Sequence, residues 1–306
     1  MLFFGFIACS KQEPDVYLFS YFQGNGEDGL HLAMSHDGFH WEALNNNKSF
    51  VTPEVGNDKL MRDPCIIKGG DNKFHMVWTV SWNERGIGYA NSSDLVNWSE
   101  QKYIPVMHHE PDARNCWAPE IFYEQSSDEY LICWATTIKG RFPETENPEV
   151  EAGYNHRMYY TTTKDFENFS ETKILYNKGF NVIDATLIKE ADTYVMFLKD
   201  ETLIPEPEKN IRIATSKDLT GNYGEASGPI TTNWVEGPTA IKIDEEWIVY
   251  FDMYTKHQMG AVVSSDLKNW RDITEDIHFP EGTRHGSVFK VKEQVVETIK
   301  SKLDKN

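Results

Sequence analysis

The strongest constraint on the fold is a turn motif that recurs five times along the chain. Each copy places an Asp a few residues before an aromatic residue, and each follows a short run of β-forming residues. Asp favours such turns because its carboxylate accepts hydrogen bonds from the backbone that follows it. A repeat of roughly 50 to 70 residues predicts four-stranded propeller blades. The repeated Asp residues are Asp37, Asp94, Asp165, Asp218 and Asp266.

A second pattern recurs between these turns: a short apolar strand, a polar turn and an aromatic-rich strand. Their β-branched and aromatic content, bounded by polar residues, predicts strand pairs rather than helices. Helical periodicity is confined to the tail from Val295 to Leu303. The predicted strand pairs are 65–68 with 74–78, 120–123 with 130–134, 186–189 with 194–198, and 239–242 with 247–251.

The two ends of the chain complement one another. The first turn, at Asp37, follows two strands but no opening strand of the second pattern, whereas the last opening strand, 287–290, has no turn after it. Pairing these ends would remove two exposed sheet edges. We therefore predict an all-β, five-bladed β-propeller whose last blade is closed by N-terminal strands plus a C-terminal strand. An open β-sandwich and two separate β domains are the alternatives.

The N-terminus predicts an exported protein. An apolar run over residues 1–8 ends at Cys9, a pattern that resembles a bacterial lipoprotein signal. This interpretation assigns residues 1–14 to the signal and linker, and 15–306 to one propeller domain. It places the protein in the periplasm or on the outer cell surface of a bacterium, attached to the membrane through lipid on Cys9. A simple hydrophobic N-terminus is the alternative.

Charge and cysteine content exclude several functional classes. The formal net charge of −18, from 30 basic and 48 acidic residues, disfavours binding to nucleic acid. The remaining cysteines, Cys65, Cys116 and Cys133, are odd in number and lack the spacing of a zinc site. We expect Cys65 and Cys133 to be buried thiols without a disulfide.

Candidate chemistry lies at the start of each opening strand, which is the innermost strand of a propeller blade. Asp63, Asp184 and His285 each precede the Lys that ends such a strand by five positions, and Glu236 precedes its Lys by six. Carboxylates that converge on one axis raise one another's pKa. Glycoside hydrolysis requires such a group, because one carboxyl protonates the leaving oxygen while another activates water.

Five short motifs, one per blade and in this order, carry a family resemblance. The set resembles glycoside hydrolase family 43, whose five-bladed propellers include arabinofuranosidases, xylosidases, arabinanases and exo-galactosidases. The resemblance extends from about Asp15 to Val291. The motifs are Arg62-Asp63-Pro64, Trp117-Ala118-Pro119-Glu120, Ile183-Asp184-Ala185, Val235-Glu236-Gly237-Pro238 and Arg284-His285-Gly286-Ser287.

The resemblance implies catalytic roles for the three carboxylates. Asp63 matches the general base, Asp184 the orienting and pKa-setting carboxylate, and Glu236 the general acid of an inverting reaction. His285 matches a channel histidine near a bound cation or water cluster. The resemblance implies no required cofactor. It predicts a structural Ca²⁺ or a water cluster in the channel, with His285 as the metal ligand.

Two features depart from the family pattern. About sixty residues precede Asp63, which we interpret as a shifted closure point of the ring. The Arg62-Asp63-Pro64 motif also resembles that of fructan-cleaving propellers, but those enzymes carry a separate Asn-Asp-Pro motif that does not occur here.

Substrate contacts are predicted from the residues that flank these motifs. Each candidate has a structural alternative: core packing for the tryptophans, a structural acid for Glu120 and a buried ion pair for Arg284. Lys199 and Asp200, after a predicted strand, are further candidates for the pocket. The predicted substrate-binding residues are Trp82, Trp117, Glu120, Arg284 and His285.

The sequence as a whole predicts a monomeric, exo-acting glycosidase. It would release a terminal pentose from plant cell-wall polysaccharides or their oligosaccharides, and the favoured candidate for that pentose is α-L-arabinofuranose. The alternatives within the class are a β-xylosidase and an exo-β-galactosidase. The alternative from another class is a propeller that binds carbohydrate without catalysis.

Overall fold

Short antiparallel strands build almost the whole of the computed structural model, which describes residues 14–304. In chain order the strands are β1 Asp15–Tyr21, β2 His31–Ser35, β3 Glu42–Ala43, β4 Arg62–Lys68, β5 Phe74–Thr79, β6 Ile87–Ser92, β7 Lys102–Ile104, β8 Trp117–Glu124, β9 Glu129–Thr137, β10 His156–Thr163, β11 Lys173–Tyr176, β12 Val182–Glu190, β13 Thr193–Asp200, β14 Asn210–Ser216, β15 Glu236–Ile243, β16 Glu246–Met253, β17 Gln258–Ser264, β18 Arg271–Asp272 and β19 Gly286–Lys292. One helix, α1 Glu293–Leu303, follows, and 3-10 turns lie at Asn45–Asn47, Glu151–Gly153 and Thr274–Asp276.

The strands form five sheets that surround a central channel. The first four blades are β4–β7, β8–β11, β12–β14 and β15–β18, and the fifth has the order β19-β1-β2-β3. The innermost strands β4, β8, β12, β15 and β19 contact one another in a ring. The predicted five-bladed propeller is confirmed.

The ring closes where the two ends of the chain meet. Strand β19 pairs with β1 in seven antiparallel positions, from Asp15 opposite Lys292 to Tyr21 opposite Gly286. The backbones approach so closely that a Cβ atom at Gly286 would lie 1.7 Å from the carbonyl oxygen of Ser20. The predicted closure by N-terminal strands and a C-terminal strand is therefore confirmed.

The third blade differs from the four-stranded prediction, because it has three regular strands. An irregular segment, 224–230, covers the outer edge of β14 instead. The amides of Gly224, Ser227 and Ile230 donate to carbonyls of β14, at 2.8 to 3.0 Å. The donors are three residues apart and their acceptors two residues apart, so the segment cannot form a regular ladder.

The repeated Asp turns have the structural role that the sequence predicts. Asp165 Oδ1 accepts hydrogen bonds from the backbone amides of Glu167 and Asn168, at 2.9 and 2.8 Å. Asp37, Asp94 and Asp266 cap their turns in the same way. At Asp218 one such bond, from Thr220, forms at 3.1 Å.

Packing between blades buries the aromatic residues of the second strands. Trp78 and Trp134 are fully buried. The thiols of Cys65 and Cys133 are buried and free as predicted, and Cys116 is buried and free as well. Helix α1 confirms the helical tail, because Val296 and Ile299 pack into the core formed by the first and fifth blades.

The predicted signal and the lipid attachment at Cys9 lie outside the described residues and stay predictions. Within residues 14–304, no helix is long and apolar enough to span a membrane.

The closure contact gives a stability prediction. Gly286→Ala places a methyl group against the backbone of Ser20, which cannot move without breaking the β1–β19 pairing. We expect a loss of about 1–3 kcal/mol in the free energy of unfolding, measured by urea denaturation. Gly228→Ala is the matched control, because a Cβ at Gly228 meets nothing within 4 Å. Equal stability of the two variants would contradict the closure geometry.

Candidate active site

Four of the five inner strands share one irregularity near their first residue. Their pairing with the second strand shifts within the spans Arg62–Cys65, Trp117–Glu120, Ile183–Thr186 and Glu236–Thr239. In each span the second residue has a positive φ: Asp63 at 52°, Ala118 at 45°, Asp184 at 50° and Gly237 at 61°. Bulges of this kind redirect side chains, and a left-handed Asp in a strand is strained backbone typical of functional sites.

The shared bulge explains the one-residue offset of Glu236. In the first and third blades the left-handed residue is the carboxylate itself, Asp63 or Asp184, whereas in the fourth blade it is Gly237 and the carboxylate precedes it. A Cβ atom at Gly237 would lie 2.3 Å from the ring of His285. Glycine is therefore required there, because the imidazole packs directly on its backbone.

Asp63 lies at the head of β4, buried, with two fixed partners. Thr79 Oγ1 donates a 2.8 Å hydrogen bond to Asp63 Oδ2, and His285 Nδ1 lies 3.4 Å from Oδ1. The Thr79 hydroxyl also accepts the amide of Ala118 at 2.8 Å, so its orientation is set by the neighbouring blade. These contacts hold the carboxylate in one position at the channel mouth.

Asp184 lies at the equivalent position of β12. Its Oδ2 accepts the amide of Gly237 at 3.0 Å and lies 3.9 Å from His285 Nδ1. Burial raises the pKa of Asp184 to about 7, although the charges of His285 and Lys199 oppose that shift. A carboxyl with this pKa holds a proton for part of the time near neutral pH.

Glu236 begins β15 and faces two cations. Lys199 Nζ lies 3.2 Å from Oε2, and Arg284 Nη2 lies 3.4 Å from Oε1. Burial alone would raise the pKa of Glu236, but the positive charges of Lys199, His285 and Arg284 together outweigh it and lower the pKa. Arg284 is itself fixed by Asp252, whose Oδ2 accepts its Nε–H at 2.6 Å.

Lys199 is fully buried and connects Glu236 to a chain of ion pairs. Its Nζ lies 2.7 Å from Glu201 Oε2, and Glu201 Oε1 accepts a 2.6 Å hydrogen bond from Lys209, a second buried lysine. Burial lowers the pKa of Lys199, but Glu201 and Glu236 more than compensate, so its pKa is raised. The side chain therefore stays charged beside Glu236.

An aromatic wall borders the carboxylates. Trp82 is 41% exposed, and the guanidinium of Arg62 lies 4.3 Å from its ring centre. Trp117 meets Trp82 edge to face, with ring centres 5.4 Å apart, and donates its indole N–H to the Trp82 carbonyl at 3.0 Å. Tyr154 extends this wall, because its ring centre lies 4.6 Å from that of Trp117. Exposed aromatic faces of this kind are suited to packing on a sugar ring.

Glu120 lies deeper in the channel than the other candidates. It is buried, and Oε2 accepts hydrogen bonds from Cys65 Sγ at 3.2 Å and Thr186 Oγ1 at 3.1 Å. Burial raises its pKa to about 7. These partners fit the structural alternative, and a direct contact between Glu120 and a substrate stays a prediction.

His285 occupies the centre of the carboxylate group. Burial lowers its pKa, but the charges of Asp63, Asp184, Glu236 and Glu120 outweigh burial and raise it, which favours the protonated ring. Among residues 14–304, no three His, Cys, Asp or Glu side chains are arranged to hold a metal ion. The metal role of His285 therefore stays a prediction.

The structure brings the predicted residues together near the channel mouth, with Glu120 deeper in the channel but close enough for its charge to act on His285. It adds Thr79 and Asp252, which sequence reasoning missed, and confirms that Lys199 reaches the pocket, whereas Asp200 pairs with Arg212 at 3.2 Å. A signal existed, because Thr79, Lys199 and Asp252 each follow the five-residue aromatic-rich run of their blade. That position lies opposite the first residue of the bulge.

Comparison with known proteins agrees with this architecture. A family profile described as a probable glycosyl hydrolase domain, related to glycoside hydrolase family 43, matches residues 13–297. The chain therefore belongs to this family of family-43-related glycosyl hydrolase domains.

Individual relatives are distant. An α-L-arabinofuranosidase of Bifidobacterium longum subsp. longum is 24% identical over 279 residues, which cover 79% of this chain. The chain spans about a quarter, 26%, of the length of that relative.

Solved structures share the fold. A thermostable family-43 glycoside hydrolase aligns with a TM-score of 0.55 and 18% identity over 73% of this chain and 75% of the other. An α-L-arabinofuranosidase from Lactobacillus brevis aligns with a TM-score of 0.52 and 17% identity over 69% of this chain and 72% of the other. An arabinanase from Bacillus subtilis gives 0.51 and 16% over 72% and 76%.

The electrostatics of the site predict a titration that can be observed directly. In protein labelled with carboxyl-¹³C aspartate, one signal should titrate near pH 7 and disappear in Asp184→Asn. Lys199→Met should move that midpoint to higher pH, because the lysine charge favours the ionised form. Lys217→Met, which removes an exposed lysine paired with Asp192, should leave it unchanged. An unmoved midpoint in Lys199→Met would contradict the proposed coupling.

Proposed function

We propose that this protein is an exo-acting, inverting glycoside hydrolase that releases a terminal pentose, α-L-arabinofuranose first among the candidates, from plant cell-wall polysaccharides or oligosaccharides. The observation that carries the proposal is the convergence of Asp63, Asp184 and Glu236, from three different blades, around His285. Each lies at the same bulge, and two of them are held in left-handed backbone. Strained, buried carboxylates that repel one another are costly unless they perform chemistry.

Each carboxylate has surroundings that suit its proposed role. Asp63 is the base that activates water, and its bond from Thr79 fixes one oxygen while the other faces His285. Glu236 is the acid that protonates the leaving oxygen, and Arg284 and Lys199 fix its orientation. Asp184 is the orienting carboxylate: its negative charge influences the protonation of Asp63 and Glu236, and the amide of Gly237 holds it in place.

The proton distribution adds a step to this mechanism. In the free site the lowered pKa of Glu236 and the pKa of about 7 of Asp184 place the exchangeable proton on Asp184. General acid catalysis requires that proton on Glu236 when the glycosidic bond breaks. We propose that a bound sugar excludes water from Glu236, which raises the pKa of Glu236 and transfers the proton to it from Asp184.

The name of one relative bears on the choice of sugar. The relative from Bifidobacterium longum is named an α-L-arabinofuranosidase, which favours arabinofuranose. A β-xylosidase and an exo-β-galactosidase use the same reaction chemistry and remain the alternatives. A carbohydrate-binding propeller without catalysis would not need an acid and a base, so the retained carboxylates favour the enzyme.

A panel of 4-nitrophenyl glycosides tests reaction and sugar together. We expect hydrolysis of the α-L-arabinofuranoside in preference to the β-xyloside and β-galactoside, and proton NMR should show the first-formed sugar with inverted anomeric configuration. Retained configuration would contradict the role of Asp63 as base. Saccharide binding without hydrolysis of any glycoside would favour the binding propeller.

Two conservative substitutions test the catalytic pair. Glu236→Gln and Asp63→Asn keep the shape of each side chain but remove the acid or the base, so kcat should fall about 100-fold or more. Circular dichroism should show an unchanged fold. The control is Glu190→Gln, which removes a carboxylate at the far end of β12 that pairs with Lys242. Near-normal turnover in either site variant would disprove its assignment.

A further inference from the structure

A second cavity opens beside the channel mouth. It has a volume of about 410 Å³ and lies between the loop 138–155, which joins β9 to β10, and the segment 201–204 after β13. This volume falls within the ~300–1,000 Å³ typical of small-molecule sites. We call this cavity the rim cleft; it belongs to the second and third blades.

Two independent contacts connect the rim cleft to the candidate active site. Tyr154, in the cleft wall, lies with its ring centre 4.6 Å from that of Trp117. Glu201, in the opposite wall, pairs with Lys199 at 2.7 Å, and Lys199 in turn contacts Glu236 at 3.2 Å. The cleft therefore begins on the side of the carboxylate that acts as the general acid.

The walls of the rim cleft are held in place without a ligand. Lys209 bridges them, because its Nζ donates to Glu151 Oε1 at 2.5 Å on the loop and to Glu201 Oε1 at 2.6 Å on the segment. Arg114 fixes the loop a second time, through a 2.8 Å bond to the carbonyl of Ala152 and a guanidinium 4.1 Å from the ring centre of Tyr154. A cavity with prebuilt walls loses less entropy when it binds.

The lining has the chemistry of a neutral saccharide site. Tyr154 and Phe180 offer aromatic rings, and amides, hydroxyls and carboxylates provide donors and acceptors for sugar hydroxyls. The carboxylates also repel a negatively charged ligand, such as a uronic acid. The polar residues are Thr145, Asn147, Asn181, Thr202, Glu144, Glu146, Glu151 and Glu201.

We propose that the rim cleft binds the leaving-group part of a neutral oligosaccharide, so that the released sugar sits at the carboxylates and the rest of the chain extends between the second and third blades. This inference rests on the proposed function. A general acid faces the leaving oxygen, so the saccharide beyond that bond must leave the channel on the side of Glu236. The cleft begins on that side.

The test compares a substrate that fills the cleft with one that does not. For Phe180→Ala and Asn147→Ala, the ratio of kcat/KM on α-1,5-linked arabinotriose to kcat/KM on 4-nitrophenyl α-L-arabinofuranoside should fall at least fivefold relative to the unaltered protein. Phe169→Ala, which removes a half-buried phenylalanine from a separate surface cavity, should keep the ratio. If both cleft variants hydrolyse the substrates with an unchanged ratio, the rim-cleft inference is wrong and the proposed function still stands.

Binding gives a second readout that does not need turnover. Glu236→Gln should bind arabinotriose, measured by calorimetry, and adding Phe180→Ala should weaken that binding at least fivefold. If the unaltered protein hydrolyses no glycoside, the proposed function fails. The rim cleft is then tested by comparing arabinotriose binding to the unaltered protein and to Phe180→Ala. Equal binding with and without Phe180 would refute it.

Discussion

The pairing of β19 with β1 is the contact on which the rest of the molecule depends. It converts five blades into a ring, so the five inner strands must converge on one axis. It also positions His285, the residue directly before β19, between carboxylates that belong to the first and third blades. Ring closure and the assembly of the candidate site are therefore the same structural event, which joins the two ends of the described chain.

Within this ring, a single backbone device organises the site. A bulge lies near the first residue of four inner strands and redirects side chains toward the channel. The four bulges carry different residues at the left-handed position. Asp63 and Asp184 use the left-handed position, whereas Gly237 leaves it free for the His285 ring and lets Glu236 act from one residue earlier. The repeated bulge therefore sets the backbone geometry, and the residue type at each bulge sets which functional group faces the channel.

The charged side chains at the channel mouth shift one another's pKa values. The charges of three carboxylates raise the pKa of His285, and the charge of the buried Lys199 lowers the pKa of Glu236. The same lysine continues through Glu201 to the wall of the rim cleft. These ion pairs therefore connect Glu236, the proposed general acid, with the wall of the rim cleft.

Much of this could be predicted from the sequence, because it is local or periodic. The Asp turns, the strand pairs and the complementary ends follow from repetition, and the motif residues Asp63, Asp184, Glu236 and His285 follow from repetition together with the family resemblance. Thr79 and Asp252 were missed although their repeat position was visible, because their importance depends on the strand opposite. The irregular edge of the third blade, the depth of Glu120 and the lowered pKa of Glu236 were decided by tertiary structure. Each of these depends on distances between blades, and neither composition nor spacing records such distances.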